Sequence, residues 1–241
     1  VGILPDGPTA PSNKMSDYVW LFYGAPGVGK TTLASQFPNP LFLASEAGTA
    51  GMEAAKVDVA TWKDFDVLLE AIQKEKHKYQ TIVLDTVDVA HVLCSTYVCN
   101  QNGWVDVADG DWGRGWRAVS REFTNLIARL RALPMCVVFI SHEKREEIRE
   151  KVGSKEIATG RFYVSSALPG KARDMLHGAV DFIIRCEITP ENKRILRTQP
   201  IENERERVEA KSRGQLGVRE LDDTVEMSFE ALSKAFRASY K

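Results

Sequence analysis

From residue 18 onward, short runs of nearly continuous apolar residues alternate with segments whose apolar positions recur at helical spacing. The runs 18–23, 40–44, 81–84 and 135–140 are each apolar almost throughout, which predicts strands covered on both faces in a parallel sheet. Between them, a helix is expected from Thr61, where Asp64 follows three residues later in the manner of a capping box, with Phe65, Leu68, Leu69 and Ile72 on one stripe. A second is expected from about Trp116, with Val119, Phe123, Leu126, Ile127 and Leu130 on one side. This β-α-β rhythm predicts a doubly wound α/β domain with right-handed crossovers.

The pattern changes after Ile140. Residues 141–161 are charged, hold two glycines and show no apolar face, so a long loop or a mobile helix is expected there. Residues 181–184, 194–197 and 207–211 read as further strands, mixed or antiparallel. Ser228 is placed to cap a last amphipathic helix carrying Phe229, Leu232 and Phe236. Residues 1–17 divide from this domain (18–241) as an arm and linker. The stretch 6–13 is rich in Pro, Gly, Thr and Ser, and the apolar tip holding Ile3 and Leu4 reads either as a disordered end or as a docking arm for a neighbouring subunit.

Composition narrows the function. The 241 residues carry 32 Lys and Arg against 33 Asp and Glu, a net charge of −1, with 44% hydrophobic and 27% charged residues. That is a globular balance. It argues against a surface basic all over, though not against a local basic groove. No apolar run approaches the roughly 20 residues that span a bilayer. The four cysteines, Cys94, Cys99, Cys136 and Cys186, are sparse and read as reduced thiols of a cytoplasmic protein. Cys94 and Cys99 with His91 match no standard zinc spacing. No secretory signal is visible at the start of the chain.

The chemistry is concentrated in Gly24-Ala25-Pro26-Gly27-Val28-Gly29-Lys30-Thr31, a full G-x-x-x-x-G-K-[ST] match between an expected strand and an expected helix. Glycines at these positions let the backbone fold round phosphate with its N–H groups inward, and the helix start adds partial positive charge. Lys30 is expected to reach the β- and γ-phosphates, Thr31 to bind Mg2+ and Thr32 to touch the α-phosphate. Asp85, at the end of an apolar strand, is the expected second magnesium residue, acting through a water. Asp88 reads more readily as a helix-start carboxylate than as a ligand. Glu46, just past the second strand, is the candidate to orient or deprotonate the attacking water. Ring ATPases of the AAA+ class often carry Glu directly after the strand-end Asp. Thr86 stands there, which disfavours that class.

Together these residues resemble the RecA-type ATPase core, and more narrowly the small phage-encoded RecA-like proteins that anneal single strands. The resemblance implies an ATPase using ATP and Mg2+, acting as a ring or filament with ATP at the subunit interface. It implies single-stranded DNA as partner, leaves room for a single-strand-binding protein, and suggests a role in phage recombination or annealing. It places a γ-phosphate sensor after residue 140, where Ser141 and His142 stand in place of the usual Gln. Two loops would line the DNA path. One, 100–115, holds Trp112 and Arg114, its tryptophans suited equally to base stacking and to core packing. The other, 143–166, holds Lys144, Arg145, Arg149, Lys151, Lys155 and Arg161 with Phe162 and Tyr163. Its five acidic residues also fit a plain solvated face. Finally, Lys211 and Arg213 point the same way on an extended strand and are expected to reach a neighbour's γ-phosphate in trans. An ATP-driven protein remodeller such as a helicase loader, and a P-loop phosphotransferase, are the other classes that this chemistry allows.

Overall fold

A computed structural model of the chain describes Gly7 and residues 12–46, 53–153, 155–212 and 221–239. The central sheet runs β3 (Ala55–Asp58), β2 (Pro40–Ala44), β4 (Thr81–Asp85), β5 (Cys136–Val152), β1 (Val19–Gly24), β7 (Phe182–Ile188), β8 (Arg194–Arg197) and β11 (Thr224–Glu226). The first six are parallel, and β8 and β11 are added antiparallel at one edge.

The continuous apolar runs follow from burial on both faces. In β1, Trp20 and Phe22 face one layer, with α1 (Lys30–Ser35) and α6 (Phe229–Ala238), whereas Leu21 and Tyr23 face the other. That second layer holds α2 (Asp64–Lys74), α3 (Val87–Asn102), α4 (Arg114–Arg131) and α5 (Gly170–Ala179). Trp20 stacks on Phe182 at 4.1 Å between ring centroids. The expected stripes face the core: Phe65, Leu69 and Ile72 are buried and Leu68 half-buried in α2, and Val119, Phe123, Leu126, Ile127 and Leu130 are buried in α4. Asp64 accepts from the backbone N–H of Thr61 at 2.7 Å, but α2 begins at Asp64, three residues after the expected start, and its N-cap Lys63 makes no side-chain capping bond. Ser228 accepts from the N–H of Ala231 at 3.1 Å at the start of α6.

The expectation for 141–161 is corrected. The segment is neither a loop nor a helix: β5 runs on past the sheet as far as Val152 and pairs antiparallel with β6 (Lys155–Ser166) in a long two-stranded ribbon. Solvent reaches both faces of its outer half, so no apolar alternation marks it. Arg145 lies over the Phe162 ring at 4.3 Å. Two short strands, β9 (Ile201–Glu202) and β10 (Glu206–Val208), add to the ribbon through β6. Among the described residues no helix is long and apolar enough to cross a membrane. Most of the 1–17 arm, with Ile3 and Leu4, lies outside the described residues; its last part forms a single 3-10 turn, Met15–Asp17.

Candidate nucleotide site

The glycine-rich loop leaves β1 at Gly24 and enters α1 at Lys30. Gly27 (φ 73°) and Gly29 (φ 109°) take left-handed backbone values that side-chain-bearing residues rarely adopt, which is why the turn needs glycine there. The Lys30 ammonium folds back inside the loop and donates to the carbonyls of Gly24 (2.8 Å) and Ala25 (3.0 Å). Burial lowers its pKa, against the charges of Asp85, Asp88 and Glu46.

The parallel sheet brings the rest to the same edge. One strand, β5, separates β1 from β4, and Asp85 at the end of β4 lies within reach of α1. Thr31 Oγ1 donates to Asp85 Oδ2 at 2.8 Å. Burial raises the Asp85 pKa, and the Thr31 bond opposes it. Past β2, Glu46 meets Thr86 Oγ1 at 3.4 Å and His142 Nε2 at 3.6 Å. The Asp85–Thr86 peptide is cis. A cavity of about 300 Å3 is lined by Pro26, Gly27, Lys30, Glu46, Asp85 and His142, among others. A larger cleft of about 620 Å3, lined by Met15, Phe37, Tyr79, Met135 and Phe229, lies at the opposite, amino end of the strands. Its walls are mostly apolar, so the smaller, polar cavity is the candidate site.

Asp88 is the residue that sequence reasoning undervalued. It does lie in the first turn of α3 (Val87–Asn102), but its two oxygens accept from the backbone N–H (3.1 Å) and the ring Nδ1 (2.7 Å) of His142. The adjacent Glu143 is clamped by Arg185 of β7 through bonds of 2.7 and 3.2 Å. Thus the strand that presents His142 to the cavity is fixed on both sides before it becomes the ribbon.

Other expected residues stand elsewhere. Trp104 packs against the core, whereas Trp112 is 93% exposed at φ 54°, and Arg114 opens α4. This divides the two readings of the tryptophan loop between its members. On the ribbon, Lys144 pairs with Glu146 (2.6 Å) and Arg161 with Glu202 (3.5 Å). Arg149, Lys151 and Lys155 are exposed and have no ion pair among the described residues. Lys211 bridges to Ile183, and its ammonium donates to the carbonyls of His177 and Val180 at the end of its own α5. Arg213 lies outside the described residues. Burial pushes the thiols of Cys94, Cys136 and Cys186 up to about 12, so they are inert at neutral pH.

Glycine cradle, buried lysine, and a threonine paired with a strand-end aspartate on a parallel sheet define a P-loop nucleotide-binding domain. Within that class the chain belongs to the AAA domain family AAA_24, whose match spans residues 16–214. Thr86 after Asp85 disfavours the AAA+ ring ATPases that carry Glu there, yet the matching family carries the AAA name. The chain is also 30% identical over 131 residues to the SPbeta prophage-derived uncharacterized protein YorG of Bacillus subtilis (strain 168). That similarity covers 52% of this chain and 41% of the relative, so the chain spans less than half of that protein's length.

Proposed function

We propose that the chain is a Mg2+-dependent ATPase that binds single-stranded DNA and works as an oligomer in the recombination or annealing of phage DNA. The donor set fits the nucleotide: the main-chain cradle and Lys30 suit phosphate, and the paired oxygens of Thr31 and Asp85 suit a hard cation. Mg2+, when bound with the triphosphate, neutralises charge that develops on the phosphoryl oxygens. Lys30 exchanges its bonds to the Gly24 and Ala25 carbonyls for phosphate oxygens. Glu46 orients the attacking water. The prophage relative supports the phage setting.

The observation that carries the DNA reading is the continuity of β5. A single strand, Cys136–Val152, presents His142 to the phosphate cavity and then forms the ribbon that bears Arg149 and Lys151. A change at the γ-phosphate position is thereby linked to the ribbon along one strand, across a shift in pairing register between Glu147 and Arg149. Trp112 and Arg114 add a stacking ring and a cation. For Lys211 and Arg213 to reach a neighbour's γ-phosphate in trans, Lys211 must exchange its bonds to the His177 and Val180 carbonyls of its own chain for phosphate oxygens.

A second reading, an ATP-driven remodeller of another protein such as a helicase loader, draws on the tryptophan loop. Asp106, Asp109 and Asp111 stand in the loop beside exposed Val105 and Trp112, a charge balance better suited to a polypeptide than to a phosphate backbone. Hydrolysis measured with and without single-stranded DNA at several protein concentrations decides. Stimulation that rises with protein concentration is expected; no stimulation by DNA favours the remodeller.

A further inference from the structure

We infer that Asp88 is a positioning residue for hydrolysis: it holds His142 with a hydrogen on Nδ1 and turns Nε2 towards Glu46 and the phosphate cavity. The inference rests on the ATPase reading above. A carboxylate only accepts, so the 2.7 Å contact between Asp88 Oδ2 and His142 Nδ1 requires the hydrogen on Nδ1. The second Asp88 oxygen accepts from the His142 backbone N–H at 3.1 Å, so ring and main chain are held by one carboxyl group and the ring cannot turn without breaking that pairing. Nε2 is then the nitrogen that meets Glu46 Oε2, at 3.6 Å. The charged groups around the ring are Asp88 from α3, Glu46 past β2 and Asp85 from β4.

Asp88 lies in the first turn of α3, and the ring it holds sits at the point where β5 leaves the sheet. In the neutral ring this tautomer leaves Nε2 without a hydrogen, so the ring does not occupy the Glu46 oxygen that a water must use. Replacing Asp88 by its amide reverses this. The Asn carbonyl still accepts from the backbone N–H, while its NH2 faces Nδ1, which must then accept. The ring hydrogen moves to Nε2 and bonds the Glu46 carboxylate.

The test uses the whole chain. Two-bond nitrogen–hydrogen NMR correlations of the His142 ring are expected to show the hydrogen on Nδ1 in the unaltered chain and on Nε2 in Asp88→Asn. In steady-state hydrolysis, Asp88→Asn is expected to lower kcat tenfold or more with KM within twofold, and Asp88→Glu to recover part of it. A hydrogen on the ring Nε2 of the unaltered chain, alone or beside one on Nδ1, or an Asp88→Asn chain with the tautomer reversed and kcat unchanged, overturns the inference. If the unaltered chain hydrolyses no nucleotide, the ATPase reading fails, while the NMR arm still decides whether Asp88 sets the ring.

Discussion

Gly24 and Cys186 are partners across β1 and β7, and a Cβ on Gly24 would stand 2.3 Å from the Cys186 carbonyl oxygen. The first glycine of the phosphate loop is therefore set by sheet packing, and not by backbone conformation as at Gly27 and Gly29. Gly24→Ala must push β1 and β7 apart, because the obstacle is main chain and cannot rotate away. We expect it to destabilise the protein by about 1–3 kcal/mol. Gly178→Ala, in α5 with open space around it, is expected to be neutral or to stabilise by about 0.5–1 kcal/mol. Urea midpoints of the two variants check the contrast. Equal midpoints would mean that β7 yields freely at Cys186.

The parts of the fold legible in the sequence are those whose burial is two-sided or strongly one-sided. The run 40–44 is β2 to the residue, and the stripe through Phe123 is the inner face of α4. The ribbon was hidden because its outer half buries little, so Glu147, Arg149 and Lys151 show no apolar alternation. A local signal was present: Gly153 and Ser154, two residues of turn type, separate Val152 from Lys155, and Gly153 has φ 65°. At the site, Lys30 and Thr31 were readable because one motif fixes both, and Asp85 because it ends an apolar strand downstream of that motif. The tie between Asp88 and His142 was not, since 54 residues separate the partners and only the sheet brings them together. The short helix α5 was not read, although Ala172 and Leu176, with the partly buried Met175 and Ala179, stand at helical spacing on its inner face.

Removing the carboxylate of Glu46 while keeping its shape separates binding from chemistry. Glu46→Gln is expected to keep nucleotide affinity and to lose roughly 100-fold or more in kcat, the usual size of a lost general base. Lys30→Ala is expected to lose affinity itself, because its buried ammonium is the cation inside the cradle. Fluorescent-nucleotide titration alongside phosphate release gives both quantities. A Glu46→Gln chain with undiminished turnover would remove Glu46 from the water's side of the reaction.

His177 makes stability fall in acid. Burial pushes its imidazole down to about 4, and Nε2 lies 3.0 Å from the Ser166 hydroxyl, itself fully buried. In the unfolded chain the ring titrates near about 6.5. Above that value the ring is neutral in both states and its contribution is complete. As pH falls from about 6.5 to about 4 the unfolded chain takes up the proton first, and the contribution is lost. Between pH 7 and pH 5 the loss is roughly 2 kcal/mol. His177→Gln removes the titration, so its stability should fall less over that interval than that of the unaltered chain. Parallel pH profiles of the two would refute the assignment.

The outer half of the ribbon makes a quantitative claim about DNA. Lys144 and Arg161 face carboxylates of their own chain, whereas Arg149, Lys151 and Lys155 do not among the described residues. Three cations on phosphate should release three counterions from a single strand, and each contributes about 0.7 to the slope of log affinity against log salt. Replacing all three by Ala should therefore flatten that slope by about 2 and weaken binding at low salt most. Replacing Lys144 and Arg161 should change it far less, because each already has a carboxylate partner. Trp112→Ala removes a stacking surface and no charge, so it should lower affinity at every salt concentration and leave the slope alone. Fluorescence anisotropy of a labelled oligonucleotide across a salt series reads all three variants. If the ribbon variant kept the original slope, the cations that meet DNA would have to be sought elsewhere, and the ribbon would be left as a surface for a protein partner.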